Sequence, residues 1–214
     1  MNPRKYSLID RCLSELDSAL RTIAAEPRAS RLRPDSELTA AESDETKSGE
    51  VSARLMRVNH AGEVAAQALY RGQALVARDA ELRARLLEAA DEELDHLAWC
   101  HSRLQELNDR TSVLAPFWFV GSFAIGAAAG LAGDRTSLGF LAETEKQVED
   151  HIEQHLQQLP RDDHRSRVIL EQMQTDEKAH GRSAIEMGGG QLPQPIVAAM
   201  RLMSRVMTTA ARRI

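Results

Sequence analysis

The chain has 214 residues, enough for one domain with a sizeable core and short appendages. Only 4% of them are aromatic, whereas Ala, Leu, Glu, Arg and Gln abound, which favours helix. A net charge of -5, with basic residues interleaved among acids, excludes an electrostatic nucleic-acid binder, and two cysteines, Cys12 and Cys100, exclude a disulfide framework or a thiolate metal site.

In chain order, the first pattern covers residues 6–24. Leu8, Ile9, Cys12, Leu13, Leu16 and Leu20 recur at helical spacing, so residues 1–26 are expected to hold a short amphipathic helix, docked on or tethered to the body. The opening MNPRKYSLIDRCLSEL lacks the apolar stretch of a signal peptide, which suggests a cytoplasmic chain. Residues 27–50 lose the pattern; they are polar, acidic and rich in Ser and Thr, and read as a flexible linker. The body is then expected over 51–214.

Within it, helical patterns cover 51–77, 79–108, 136–158 and 163–187. A last helix follows over 196–213, after the stop signals of GGGQLPQP. Between the second and third patterns, Thr111 to Gly133 carries no charge over 23 residues and contains three of the four Phe residues. Length and polarity alone would permit a membrane span.

The chemistry lies in two Glu-x-x-His pairs, Glu93/His96 and Glu177/His180. Residues three apart share one helix face, so a carboxylate and an imidazole can converge on one ion. One such pair is weak evidence. Here each follows a lone glutamate, Glu63 by 30 residues and Glu145 by 32, so each half is a hairpin offering Glu and then Glu-x-x-His. Two lone Glu and two Glu-x-x-His on four helices are the ligand set of ferritin-like di-iron and di-manganese bundles, as generally described for that class. The expected fold is therefore all-α, a ferritin-like four-helix bundle with flanking helices. Four buried carboxylates would balance two divalent ions, and one His per ion favours iron or manganese over zinc or copper.

Asp176 and Glu92 each precede a ligand Glu and point towards a neighbouring helix. Asp176 is expected to orient His96, and Glu92 to orient His180. His60 is assigned a supporting role, His151 the substrate cavity, and His155 the surface. His151 and His155 do not form a zinc-protease motif, since Ile152 stands where that motif needs Glu. Glu149, one turn from Glu145, stays open as an alternative ligand.

The six-residue site rejects a span at 111–133, which would put the two hairpins on opposite sides of a bilayer. The segment is instead a crossover along the bundle. Phe117, Trp118, Phe119 and Phe123 are candidates for substrate or membrane contact, and Gly121, Gly126, Gly130 and Gly133 suit close packing. The last helix sets Met200, Met203 and Met207 beside Arg201, Arg205, Arg212 and Arg213, as interfacial helices often do.

From residue 51 onward the sequence resembles the Coq7 family of demethoxyubiquinol hydroxylases in its bacterial form. LMRVNHAGEVAAQALYRGQ, DEELDH, ETEKQVEDH and DEKAHG carry the likeness, with Asn59-His60-Ala61-Gly62-Glu63 as its hallmark. The resemblance implies hydroxylation of a polyprenylated benzoquinol in ubiquinone synthesis, using O2 and two electrons from an external donor such as reduced nicotinamide. It implies two irons bridged by Glu93 and Glu177, with Glu63 and His96 on one and Glu145 and His180 on the other. It also implies a peripheral place on the cytoplasmic face of the cell membrane, possible contact with other ubiquinone-synthesis proteins, and no nucleic acid. Some relatives carry Tyr where Ile152 stands, so a tyrosine role there does not transfer.

Overall fold

The computed structural model describes residues 8–38 and 49–214. The described residues form seven α-helices, α1 (Leu8–Ala24), α2 (Gly49–Val76), α3 (Ala80–Glu106), α4 (Ala115–Leu131), α5 (Asp134–Gln158), α6 (His164–Glu186) and α7 (Gln194–Ala211). No strand occurs among the described residues. Helix boundaries fall within a few residues of the sequence expectation, because local signals mark them. Asp79 caps α3 by accepting from Leu82 N at 2.8 Å, and Asp163 caps α6 by accepting from Ser166 N at 2.9 Å. Gly133, at φ 110°, turns the chain from α4 into α5.

α2 packs on α3 and α5 on α6, giving the two hairpins of a four-helix bundle. Its interior is layered. At one end Leu55, Met56, Trp99, Cys100, Leu104, Ile152, Ile169, Leu170 and Met173 form an apolar plug from all four helices. At the other, Leu69, Tyr70, Leu82, Leu86, Leu138, Leu141 and Ala184 form a second. The candidate metal ligands lie between these plugs along every helix.

α4 is the crossover. Its 17 residues cover about 25 Å and run alongside α2 in the same direction. Glycines permit the close approach: a Cβ on Gly72 would lie 2.2 Å from Phe123 O, and one on Gly126 would lie 2.1 Å from Leu69 O. Among the described residues no helix is long and apolar enough to cross a membrane.

Two features depart from the sequence reading. α1 sits on α2 and α4 with its polar side inward: Glu15 pairs with Arg71 at 3.4 Å, and Thr22 donates to Gln67. Ile9, Leu13, Leu16 and Leu20 face outward, 57–71% exposed. The side chains of Leu8 and Cys12, residues 6 and 7 of the expected helix, and linker residues 39–48 lie outside the described residues.

The other departure is the start of the expected linker. Residues 27–38 form a strap over α3 and α6. Ser30 N donates to Asp95 Oδ1 at 2.5 Å, Arg33 reaches Asp35 and Glu106 at 2.5 Å each, and Arg165 of α6 pairs with Asp35 at 3.1 Å. Single polar side chains on irregular backbone make these contacts, so no periodicity announces them.

Candidate metal centre

Helical phase explains how the six candidate ligands meet. Glu63 (α2), Glu93 and His96 (α3), Glu145 (α5), and Glu177 and His180 (α6) all face the bundle axis, and every one of the four carboxylates is buried. Their donor atoms form two overlapping groups, Glu63–Glu93–His96–Glu177 and Glu93–Glu145–Glu177–His180. Within each group, one ligand atom per residue lies within 4.8 Å of the others. Glu93 and Glu177 belong to both.

The inner atoms suit cations. His96 Nδ1 lies 3.0 Å from Glu93 Oε2, 3.2 Å from Glu177 Oε1 and 3.8 Å from Glu63 Oε2. His180 Nδ1 lies 3.3 Å from Glu93 Oε1 and 3.4 Å from Glu177 Oε2. Both imidazoles thus turn Nδ1 into the cluster. Among the described residues the buried Oε1 of Glu145 accepts no hydrogen bond, and those of Glu93 and Glu177 meet only the inner nitrogens of the two histidines, which is costly unless a cation faces them.

Electrostatics point the same way. Burial, reinforced by the neighbouring carboxylates, pushes Glu63 and Glu145 well above the usual carboxylate range. Burial opposes charge on His180, but hydrogen bonds with Glu177 and Glu93 outweigh it and push the ring up to about 12. Four carboxylates so crowded are relieved by positive charge, and two divalent ions would balance them.

The outer nitrogens meet the expected carboxylates across the bundle. His96 Nε2 lies 2.9 Å from Asp176 Oδ2, and His180 Nε2 lies 2.7 Å from Glu92 Oε2. Such a contact sets which ring nitrogen carries the proton and so which faces the metal. In α5, the carboxylate among the ligands is that of Glu145. Glu149 turns outward to Lys178 at 3.5 Å, and Glu143 accepts from Gln147 at 2.7 Å.

Beside the cluster lies a cavity of about 390 Å³ between α2, α4, α5 and α7. Glu63 lies in its wall, with Asn59, Trp118, His151, Met200 and Met203 among its lining. Met207 and Phe117 also line it, as does Gly121, where a Cβ would meet open space. His151 therefore reaches the cavity, as the sequence suggests.

Phe119 and Phe123 do not line it. They stack at 6.4 Å between ring centroids and pack with Val64, Ala68 and Leu97, because their helical phase turns them towards α2. His155 is likewise not at the surface: it is fully buried, with Nδ1 3.1 Å from Asn59 Oδ1 and its ring 3.9 Å from His151. His60 is buried beside His101 and outside both donor groups.

Burial holds all three of these histidines neutral: His60 at about 3 and, with Arg212 adding to the effect, His151 at about 4 and His155 at about 2. Two contributors escaped the sequence reading. Asn59 lines the cavity, and only its place in the Asn59–Glu63 hallmark could have flagged it. Arg31 reaches the outer face of the centre from the supposed linker, where nothing in the sequence distinguishes it.

Comparison with known proteins agrees with this geometry. The family model for ubiquinone biosynthesis protein COQ7 matches residues 50–211. A 3-demethoxyubiquinol 3-hydroxylase of Polynucleobacter necessarius is 55% identical, over 97% of this chain and 100% of its own. One of Ralstonia pickettii is 57% identical over the same shares, and one of Chromobacterium violaceum is 48% identical, again over 97% of this chain and 100% of its own. With two hairpins converging on a shared carboxylate centre and a match spanning the whole bundle, this chain belongs to the COQ7 family of ubiquinone biosynthesis proteins.

Proposed function

We propose that this chain is a 3-demethoxyubiquinol 3-hydroxylase that acts through two iron ions held by Glu63, Glu93, His96, Glu145, Glu177 and His180. The observation that carries the reading is the pair of four-residue donor groups sharing Glu93 and Glu177. Shared carboxylates suit bridging, and one imidazole per ion suits iron. In the overall reaction a ring C–H becomes C–OH, and the second oxygen atom of O2 leaves as water, with two electrons and two protons supplied from outside. A ferrous pair, when bound, supplies the activation of O2 that a protein side chain lacks.

The chain's own residues do the rest. The apolar plug around Trp99, Cys100 and Met173 keeps bulk water from the His96 side of the ligand layer. Asp176 and Glu92 hold the protons on the outer nitrogens of His96 and His180, which keeps both Nδ1 lone pairs directed inward. The quinol ring sits in the cavity beside Glu63. There Asn59 Nδ2 and His151 Nε2 are buried without hydrogen-bond partners among the described residues and can meet the ring oxygens. The polyprenyl tail leaves between α4 and α7, past Phe117 and Met203.

The same face supports docking on a membrane surface. Phe117 and Val120 of α4, and Leu202, Met203 and Val206 of α7, are exposed apolar side chains. Arg201, Arg205, Arg212 and Arg213 are exposed on or just beyond α7, and the outward stripe of α1 adds four apolar residues. Electrons come from an external reductant such as reduced nicotinamide.

The test supplies iron-loaded protein with a demethoxyubiquinol, ¹⁸O2 and reductant. One labelled oxygen on the ring is expected. An unreacted quinol with an intact di-iron spectrum overturns the assignment. Flotation with anionic vesicles checks the membrane reading, and protein that stays in the bottom fraction overturns it.

A further inference from the structure

The two histidines carry the same sequence motif, yet their outer faces differ. His180 leans on Glu92, whose side chain is 44% exposed; among the described residues no Lys or Arg lies within ion-pair distance of it. His96 leans on Asp176, which is 14% exposed and already engaged. Gln172 Nε2 donates to Asp176 Oδ1 at 2.9 Å, and Arg31 Nη2 pairs with Asp176 Oδ2 at 2.9 Å, the same oxygen that faces His96 Nε2.

Arg31 does more than pair once. Its Nε donates to Asp95 Oδ2 at 2.9 Å, and its guanidinium lies 4.8 Å over the Trp99 ring. That ring in turn lies 5.4 Å from the His96 ring. Asp95, buried on α3, also accepts from Ser30 N and Ser30 Oγ. One planar fork therefore ties a carboxylate of α3 to a carboxylate of α6, the two helices that supply both Glu-x-x-His pairs.

From this geometry we infer that Arg31, carried by the strap outside the family-matched segment, is a positioning residue that clamps Asp176 against His96 and makes the two metal positions inequivalent. The ion on the His96 side is the firmly held one; the ion on the His180 side, backed only by an exposed carboxylate, is the labile one. The inference rests on the di-iron reading of the site. The physical reason is direct. A carboxylate held from three sides keeps the imidazole in one orientation, whereas a free one rotates and lets the ring follow. Without the guanidinium, Asp95 and Asp176 would also face each other's helices as uncompensated like charges.

The experiment follows release of ferrous iron from the full-length protein to a coloured chelator under anaerobic conditions, with no substrate present. Wild-type protein is expected to give two phases of one iron each. Arg31→Gln should speed the slow phase by about tenfold, the lower end of what losing such an outer partner costs in metal affinity, and leave the fast phase unchanged. Arg31→Lys, which keeps the charge but not the fork, should fall between. Glu92→Gln should act on the fast phase alone. Circular dichroism melting of each variant separates these effects from loss of fold.

Equal acceleration of both phases in Arg31→Gln, or no change in either while two irons are held, overturns the inference. Wild-type protein that takes up no iron overturns the di-iron reading, and this inference with it.

Discussion

The two halves of the centre invite comparison because they are written alike and finished differently. Each is a hairpin with one Glu on its first helix and Glu-x-x-His on its second. On its outer side the His96 half is covered: Trp99, Cys100 and Met173 pack beside it in one apolar plug, and Arg31 and Asp176 lie over its outer nitrogen, so it meets the larger cavity only through Glu63. On its outer side the His180 half is open: a pocket of about 240 Å³, lined by Leu86, Glu92, Ala179 and His180, reaches it from outside. Internal pseudo-symmetry supplies a matched ligand set, and the surroundings then assign each half its own degree of access and rigidity.

The largest expected effect breaks the comparison altogether. Glu93→Ala or Glu177→Ala removes a carboxylate common to both donor groups. Each should empty both metal positions, whereas Glu63→Ala should spare the His180 side. Iron counted per chain reads the difference; a Glu177→Ala protein retaining two irons would mean that the shared carboxylates do not bridge.

A narrower test concerns the open half. Glu145→Ala should lose about one iron per chain. Glu149→Ala should keep both and shift stability by less than about 0.5 kcal/mol, since it removes only an exposed pair with Lys178. The reverse result would reassign the α5 ligand.

The last effect lies outside the two halves and is in the pH dependence of stability. His155 is neutral in the folded chain, held at about 2 from an ordinary value of 6.5. Below that ordinary value the unfolded chain takes up a proton that the folded chain refuses. Stability therefore falls as pH drops through 6.5, by about 2 kcal/mol per fully buried histidine between pH 7 and pH 5. His60 and His151 add to the same slope. Urea unfolding at the two pH values should show the loss, and His155→Gln should make it smaller; an unchanged slope would mean that His155 is charged or exposed when folded.

Much of the centre was legible because a helix converts spacing into direction. Glu93 and His96 share a face by arithmetic, as do Glu177 and His180, and the neighbouring Glu92 and Asp176 must then point sideways. The same arithmetic explains the misplaced aromatics. An apolar crossover is visible in the sequence, but which side of it meets α2 depends on where Gly72 and Gly126 let the backbones touch. Phe119 and Phe123 fall on that side and Phe117 on the other. His155 was misread for a related reason: a polar residue late in a helix is ordinarily solvated, and only its contact with Asn59 and His151 shows why it is not.

By itself, then, the sequence determined the helices, the two hairpins, the six converging residues and the exclusion of a span between them, because all of these follow from local periodicity and from spacing within single helices. Only the tertiary structure decided that α1 turns its apolar stripe outward, that residues 27–38 form a strap, and that Arg31 covers the outer side of His96 while a pocket reaches the outer side of His180. Those features depend on contacts between residues 45 or more positions apart, such as Thr22 with Gln67, Ser30 with Asp95 and Arg31 with Asp176. No periodicity records such contacts, since irregular backbone and lone polar side chains make them.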